Sequence, residues 1–194
     1  MPSLLDQRPL LVAVAGPNGS GKTTFYHSTL KRAGLSLVNA DNIARELRMD
    51  AYEAARIAAS VRNELLRQRE SFVFETVFSD PVGDKLAFLE RATDSGYTTL
   101  LCFIGLASPK LSIQRVAQRV TQGGHDVPNE KILARYPRAL ANLGAALRRL
   151  PRVHVYDYSD LRTPYRLVAV ATAGHVIELH RPVPPWLKPL LPAA

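Results

Sequence analysis

Eight consecutive residues near the N-terminus, Gly16 to Thr23, combine glycines with a lysine and a threonine at a spacing suited to binding phosphate. They read GPNGSGKT and match the pattern G-x-x-x-x-G-K-[ST], with an apolar run before them and a helical pattern after them. Glycines let backbone N–H groups face a phosphate, and a helix N-terminus adds partial positive charge. We expect Lys22 to contact the β- and γ-phosphates of a nucleotide and the Thr23 hydroxyl to bind Mg²⁺. A turn that only joined a strand to a helix would need neither side chain.

Two carboxylates follow predicted strands. Leu35 to Asn39 predicts a second strand that ends at Asp41, and Phe72 to Phe74 predicts a third that runs into Glu75. We expect both strands to neighbour the first, so that the carboxylates lie opposite the phosphate loop. Transfer of a phosphoryl group to a hydroxyl needs such a carboxylate to orient and deprotonate the acceptor. The alternatives are that Asp41 caps a helix beginning at Asn42 and that Glu75 belongs to a structural ion pair.

Four arginines flank a flexible glycine pair and could supply positive charge to a transferring phosphoryl group. The pair is Gly123-Gly124, and the arginines are Arg115, Arg119, Arg135 and Arg138. We predict a helical lid over about residues 109–140, with Arg119 and Arg138 as its most probable functional residues. The alternative for each arginine alone is a solvated helix face.

The net charge of +8 lies entirely in the second half of the chain. Residues 1–97 carry 12 basic and 12 acidic side chains, whereas residues 98–194 carry 13 and 5. This imbalance favours an anionic ligand. A nucleic-acid surface would interleave basic residues with aromatic ones, but Tyr136 is the one aromatic residue between Lys110 and Arg152, so we expect no nucleic-acid partner.

Strands alternate with helices along the chain, which predicts an α/β fold of the P-loop kinase type: a three-layer sandwich around a five-stranded, mainly parallel sheet. Helices are predicted at about 22–32, 52–70, 81–95 and 109–122, and another from Asn129, within which Pro137 predicts a kink or a fresh start. A hairpin around Ala173-Gly174 and a proline-rich tail are expected to occupy residues 163–194. We interpret residues 1–194 as a single domain.

The remaining composition favours a globular cytoplasmic protein. The single cysteine, Cys102, lies in an apolar run and is expected to be a buried strand residue without a disulfide partner. The apolar run that begins at Leu10 is far shorter than the roughly 20 residues that span a bilayer, so no membrane association is expected. Nothing in the sequence predicts the oligomeric state.

Together these residues resemble the zeta-toxin family of P-loop kinases, over roughly residues 10–160. The segments that carry the resemblance are the loop Gly16–Thr24, Asn39-Ala40-Asp41, Phe74-Glu75-Thr76, the segment from Gly123 to Pro128, and Arg135-Tyr136. Members of that family phosphorylate UDP-N-acetylglucosamine with ATP, and some are toxins neutralised by a small antitoxin protein. The resemblance therefore implies a nucleotide-sugar substrate, ATP and Mg²⁺ as cofactors, and a possible antitoxin partner.

The resemblance also implies a role for each matching residue. Asp41 corresponds to the catalytic base, with Lys22, Arg119 and Arg138 completing the catalytic group. The implied substrate-binding residues are Asp41, Glu75, Thr76 and Arg138, and the implied metal-binding residue is Thr23. The implied ATP-binding residues are Gly16, Pro17, Asn18, Gly19, Ser20, Gly21, Lys22, Thr23, Thr24, Arg115, Arg119 and Arg135.

Two positions depart from the family pattern and leave the acceptor open. The arginine pair common before the lid tyrosine is here Ala134-Arg135, and Asp157-Tyr158-Ser159 has tyrosine where asparagine is more usual. The chain is also shorter than the longer toxins. One alternative is a kinase of a nucleoside, an antibiotic or another small metabolite. Another is a regulatory protein that binds a nucleotide without transferring phosphate.

Overall fold

The structure, a computed structural model, describes residues 4–192, and a seven-stranded sheet forms its centre. The strands are β1 Leu10–Ala15, β2 Ser36–Val38, β3 Phe72–Thr76, β4 Thr98–Gly105, β5 Arg152–Asp157, β6 Arg166–Thr172 and β7 His175–Leu179. Their order is β2-β3-β1-β4-β5-β6-β7, in which β1 to β5 are parallel and the last two strands are antiparallel. The α/β class is confirmed.

The C-terminal hairpin is part of the main sheet. We predicted five strands and a separate hairpin, but β6 pairs with β5 in antiparallel register, with Val153 opposite Ala171. Because β5 would otherwise leave its backbone groups unpaired at the edge of the sheet, pairing with β6 satisfies them. The sheet therefore has two strands more than predicted, because the predicted hairpin supplies them.

Helices cover both faces of the sheet. They are α1 Lys22–Phe25, α2 Ala40–Leu47, α3 Ala51–Arg67, α4 Asp84–Asp94, α5 Pro109–Thr121 and α6 Asn129–Arg149. The segment after α1 continues as a π-helix, Tyr26–Leu30, and a 3₁₀ turn, Lys31–Ala33. α6 runs through Pro137 without interruption, so the alternative in which a new helix begins at this proline is wrong. Its buried face, which includes Leu143 and Leu147, packs on the sheet. The free energy gained by this burial offsets the loss of the hydrogen bond that proline cannot make.

The first strand lies in the middle of the core, and all six of its residues are 0 % exposed. Leu11, Ala13 and Ala15 pack in one cluster with α3, α4 and α6, whereas Leu10, Val12 and Val14 pack in another with Phe25 of α1. The alternation follows from the two-residue period of a strand. It explains why β1 is apolar throughout, as expected for a strand covered on both faces.

Cys102 lies on β4 and is buried without a disulfide partner, as predicted. Burial raises the pKa of its thiol to about 12, so the side chain stays protonated. Among residues 4–192, no helix is both long and apolar enough to cross a membrane.

Candidate active site

The phosphate loop joins β1 to α1 at the carboxyl edge of the sheet. The Lys22 side chain is buried and donates a hydrogen bond to the Pro17 carbonyl, 3.1 Å away. Asn18 and Ser20 are also buried, and the Asn18 Oδ1 and Ser20 Oγ atoms have no hydrogen-bond partner in the described part of the chain. Gly21 has a φ of 78°, which suits a residue without Cβ at the start of α1.

Glu75 connects the phosphate loop to the neighbouring strands. Its Oε2 atom accepts hydrogen bonds from the Thr23 hydroxyl and from the Asn39 amide, both at 2.8 Å. Its Oε1 atom lies 4.0 Å from the Lys22 ammonium. Glu75 lies on β3, directly next to β1, and this adjacency puts the carboxylate against the loop. The structural ion pair that we considered for Glu75 is therefore an interaction within the site itself.

Burial lowers the pKa of the Lys22 ammonium. The negative charges of Glu75 and Asp41 oppose that effect, and the positive charges of Arg119 and Arg135 add to it. An anionic phosphate next to Lys22 would favour its charged form again. The loop is therefore built to gain electrostatic stabilisation when phosphate binds.

Asp41 does not follow a strand next to β1, as we predicted, but lies in the first turn of α2. β3 separates β2 from β1, so the strand before Asp41 does not adjoin the first strand. The N-cap of α2 is Asn39, whose Oδ1 atom accepts from the backbone N–H groups of Asp41 and Asn42. The alternative in which Asp41 caps this helix is therefore excluded, because Asn39 fills that role. The Asp41 side chain instead lines a cavity that is described below.

Two cavities meet at the phosphate loop. The first, of about 350 Å³, is lined by Thr24 and Arg115, which were predicted to bind ATP, and we call it the nucleotide cavity after that expectation. The second, of about 560 Å³, is lined by Asp41 and Thr76, which were predicted to bind the substrate, and we call it the acceptor cavity. The residues common to both are Gly19, Lys22, Glu75 and Arg119. A group passed from one cavity to the other would cross these residues.

Aromatic side chains form a wall of the nucleotide cavity. The guanidinium carbon of Arg115 lies 4.3 Å from the centroid of the Tyr158 ring, which is 4.4 Å from the Tyr165 ring. The Tyr165 hydroxyl donates to the Gly21 carbonyl at 2.9 Å. A Cβ at Gly21 would lie 2.8 Å from this hydroxyl, so the close approach requires glycine. Neither tyrosine was among the predicted site residues, although Tyr158 was noted as a departure from the family pattern.

The C-terminal tail supports this wall from behind. Trp186 packs against Gly105, where a Cβ would lie 2.1 Å from the indole ring. Its indole N–H donates to Asp157 Oδ1 at 3.1 Å, and the same oxygen accepts from the Ser159 hydroxyl at 2.6 Å. The tail therefore fixes the residues on either side of Tyr158.

The predicted lid arginines divide between the two cavities. Arg115 lines the nucleotide cavity but not the acceptor cavity, whereas Arg135 and Arg138 line the acceptor cavity but not the nucleotide cavity. Arg119 lines both, and its guanidinium donates to the His125 carbonyl at 2.5 Å. Arg135, which we predicted to bind ATP, therefore lies on the acceptor side of the junction. Sequence spacing could not distinguish the two sides, because both helices of the lid region contribute arginines.

A protein-family model described as an AAA domain matches residues 11–140. The chain belongs to this AAA domain family. An uncharacterized protein of Haemophilus influenzae is 26% identical over 126 residues, which are 62% of this chain and 88% of that protein.

Solved structures with the same fold are distant in sequence. The PezAT chromosomal toxin–antitoxin system of Streptococcus pneumoniae gives a TM-score of 0.57 at 17% identity, over 85% of this chain and 72% of that one. The structure of AvrRxo1-ORF1:-ORF2 with ATP gives a TM-score of 0.62 at 19% sequence identity, over 90% of this chain and 61% of that one. This chain therefore spans about three fifths of that protein's length. A gluconokinase of Sinorhizobium meliloti gives a TM-score of 0.52 at 16% sequence identity, over 82% of this chain and 89% of that one. This AAA domain therefore has a zeta-toxin-like P-loop kinase fold, as the resemblance predicted.

Proposed function

We propose that the protein is an ATP-dependent kinase that transfers the γ-phosphate to a hydroxyl of a small molecule. The observation that carries the proposal is the junction of the two cavities at Lys22, Glu75 and Arg119. One cavity gives the donor a place beside the phosphate loop, and the other gives the acceptor a place beside a carboxylate. A protein that only bound a nucleotide would have no need for the second cavity with Asp41 in its wall.

The residues lining the junction suit the steps of phosphoryl transfer. Asp41 would accept the proton of the acceptor hydroxyl. Lys22 and Arg119 would stabilise the negative charge of the transferring group, which is the main catalytic contribution expected in this chemistry. Arg135 and Arg138, on the acceptor side, would hold the acceptor and the γ-phosphate in line.

The oxygen donors at the loop fit Mg²⁺. This ion usually binds one or two protein oxygens together with nucleotide phosphates and water. The Thr23 hydroxyl would bind the ion, and Glu75, whose Oε2 atom accepts from that hydroxyl at 2.8 Å, would orient the hydroxyl. Bound Mg²⁺ would neutralise charge on the β- and γ-phosphates. No group of three or more His, Cys, Asp or Glu side chains in residues 4–192 forms a separate metal site.

We propose UDP-N-acetylglucosamine as the first acceptor to test. The sequence resemblance to zeta toxins supports it, and so does the excess of basic side chains in the acceptor cavity over its acidic ones. The fold similarity to PezAT and to the two-component AvrRxo1 complex also supports a small protein partner that regulates the kinase.

The test is transfer itself. The protein is incubated with Mg-ATP and UDP-N-acetylglucosamine, and the sugar is examined for an added phosphate by mass spectrometry. Asp41→Asn should keep ATP affinity within about twofold while lowering kcat roughly 100-fold or more, since a general base contributes factors of this size. Asn42→Ala, at the next position of α2, serves as the matched control. ATP binding without any transfer to this sugar or to a panel of small metabolites would overturn the proposal.

The gluconokinase fold favours a second candidate, an uncharged or carboxylated small metabolite as acceptor. A phosphorylation screen over a metabolite pool separates the two acceptor classes. A product from the nucleotide sugar alone would remove this second candidate.

A further inference from the structure

The acceptor cavity contains an unusual number of cations that have no protein counter-ion. Five basic side chains line it without also lining the nucleotide cavity: Arg62, Lys85, Lys131, Arg135 and Arg138. The ion pairs formed within residues 4–192 include none of these five. By the same criterion the cavity has three carboxylates, namely Asp41, Asp80 and Asp126.

Arg62 differs from the other four because its guanidinium contacts two aromatic rings. It projects from α3 over Phe74 of β3, 5.2 Å from the ring centroid, and over Phe88 of α4, 5.7 Å from the centroid. Contact with two rings, which are nearly perpendicular to each other, restricts where the guanidinium can lie before any ligand arrives. Arg62 has no hydrogen bond to any side chain or carbonyl in the described part of the protein. Its donors are therefore available to a ligand.

A cation in this environment is unfavourable unless an anion joins it. Burial lowers the pKa of the Arg62 guanidinium, which measures that cost, although an arginine stays charged at any physiological pH. The planar fork of donors matches the paired oxygens of a phosphate. Lys85 lies one helical turn before Phe88, on the same face of α4, and would place a second positive charge at this end of the cavity.

We propose that Arg62, supported by Lys85, forms a subsite for a phosphate or diphosphate group of the acceptor. The inference rests on the proposed kinase function and adds a residue role to it: Arg62 would bind an acceptor phosphate that is remote from the hydroxyl that is phosphorylated. Arg62 would then determine specificity without taking part in the transfer step. A neutral sugar would leave the subsite unfilled.

Binding of inorganic pyrophosphate tests the subsite without requiring transfer. The protein is saturated with Mg²⁺ and a non-hydrolysable ATP analogue, so that the phosphate loop is filled, and pyrophosphate is titrated by calorimetry. We expect wild-type protein to bind it and Arg62→Gln to bind it roughly tenfold or more weakly, the loss typical of one charged hydrogen-bonding partner. Arg62→Lys, which keeps the charge and loses the fork, should fall between them.

Arg56→Gln is the matched control, since Arg56 is an exposed arginine on the same helix and lines neither cavity. Its pyrophosphate affinity should equal that of wild type, and thermal melting of each variant shows that the fold is kept. Equal affinity in Arg62→Gln and wild type, or no pyrophosphate binding to wild type, would overturn the proposal.

Transfer kinetics separate this inference from the proposed function. With UDP-N-acetylglucosamine, Arg62→Gln should raise the acceptor KM roughly tenfold and leave the ATP KM unchanged. A wild-type protein that transfers no phosphate to any acceptor contradicts the kinase proposal, while the pyrophosphate measurement still decides the role of Arg62.

Discussion

At the scale of single residues, Glu75 has contacts beyond the sugar contact that the resemblance to zeta toxins implies. One of its carboxylate oxygens accepts hydrogen bonds from the Thr23 hydroxyl and the Asn39 amide. Glu75 therefore fixes the hydroxyl expected to bind Mg²⁺ and, through Asn39, the first turn of α2 that contains Asp41. Because it lines both cavities, it can still contact an acceptor through its other oxygen.

This position predicts a magnesium effect. Glu75→Gln replaces a carboxylate oxygen pair with an amide, and we expect Mg²⁺ affinity to fall roughly 10- to 100-fold, as is typical when a residue that orients a metal ligand is changed. The measurement is the transfer rate as a function of Mg²⁺ concentration at saturating ATP. Glu70→Gln, at an exposed position just before the same strand, is the control. An unchanged magnesium dependence would contradict the assignment.

At the scale of elements, the nucleotide wall is assembled from segments far apart in the sequence. Tyr165 contacts Gly21 across 144 positions, and Arg115 of α5 donates to the Ser159 carbonyl at 3.4 Å. The lid region has a small core of its own, formed by Val116, Val127 and Ile132, which joins α5 to α6. α5 is thus linked both to the wall and to α6.

The wall predicts a selective effect on ATP. Tyr158→Ala removes the ring against which Arg115 stacks, and we expect the ATP KM to rise several-fold, up to about tenfold, in keeping with the strength of cation–π contacts. Tyr158→Phe keeps the ring and should behave as wild type. Steady-state kinetics with ATP and acceptor varied in turn give the result, and a rise in the acceptor KM alone would assign Tyr158 to the other cavity.

Features that depend on residues close together in the sequence were predicted correctly, whereas features that depend on distant segments were not. The strand, loop and helix around Lys22 depend on neighbouring residues, so the pattern predicted them correctly. The sequence left open whether Asp41 caps α2, because both Asn39 and Asp41 are favoured N-cap residues and only the geometry shows that Asn39 fills this role. Tyr165, Arg62 and the pairing of β6 with β5 escaped prediction, since each depends on contacts between distant segments that leave no local period in the sequence.

At the scale of the whole molecule, the sheet holds a titratable group away from the site. His154 lies on β5, and burial lowers its pKa; the charge of Glu178 partly opposes this shift and that of Arg152 adds to it. The folded protein therefore takes up this proton less readily than the unfolded chain. Its contribution to stability is complete above the unfolded pKa of 6.5 and is lost as the pH falls below that value.

We therefore expect the free energy of unfolding to fall between pH 7.5 and pH 5.5, and His154→Gln to lose less of it over the same interval. Urea unfolding followed by circular dichroism at both pH values provides the measurement. His175→Gln, an exposed histidine at the start of β7, is the control. An equal loss in His154→Gln and wild type would show that other groups cause the pH dependence.

The packing of Trp186 against Gly105 also provides an optical signal. Trp186 is the one tryptophan in the 194 residues, so the indole emission of the protein comes from a single buried site behind the nucleotide wall. Detachment of the tail would expose the indole to water and shift its emission to longer wavelength. Unlabelled protein can thus report in real time whether the tail stays docked while the nucleotide cavity fills and empties.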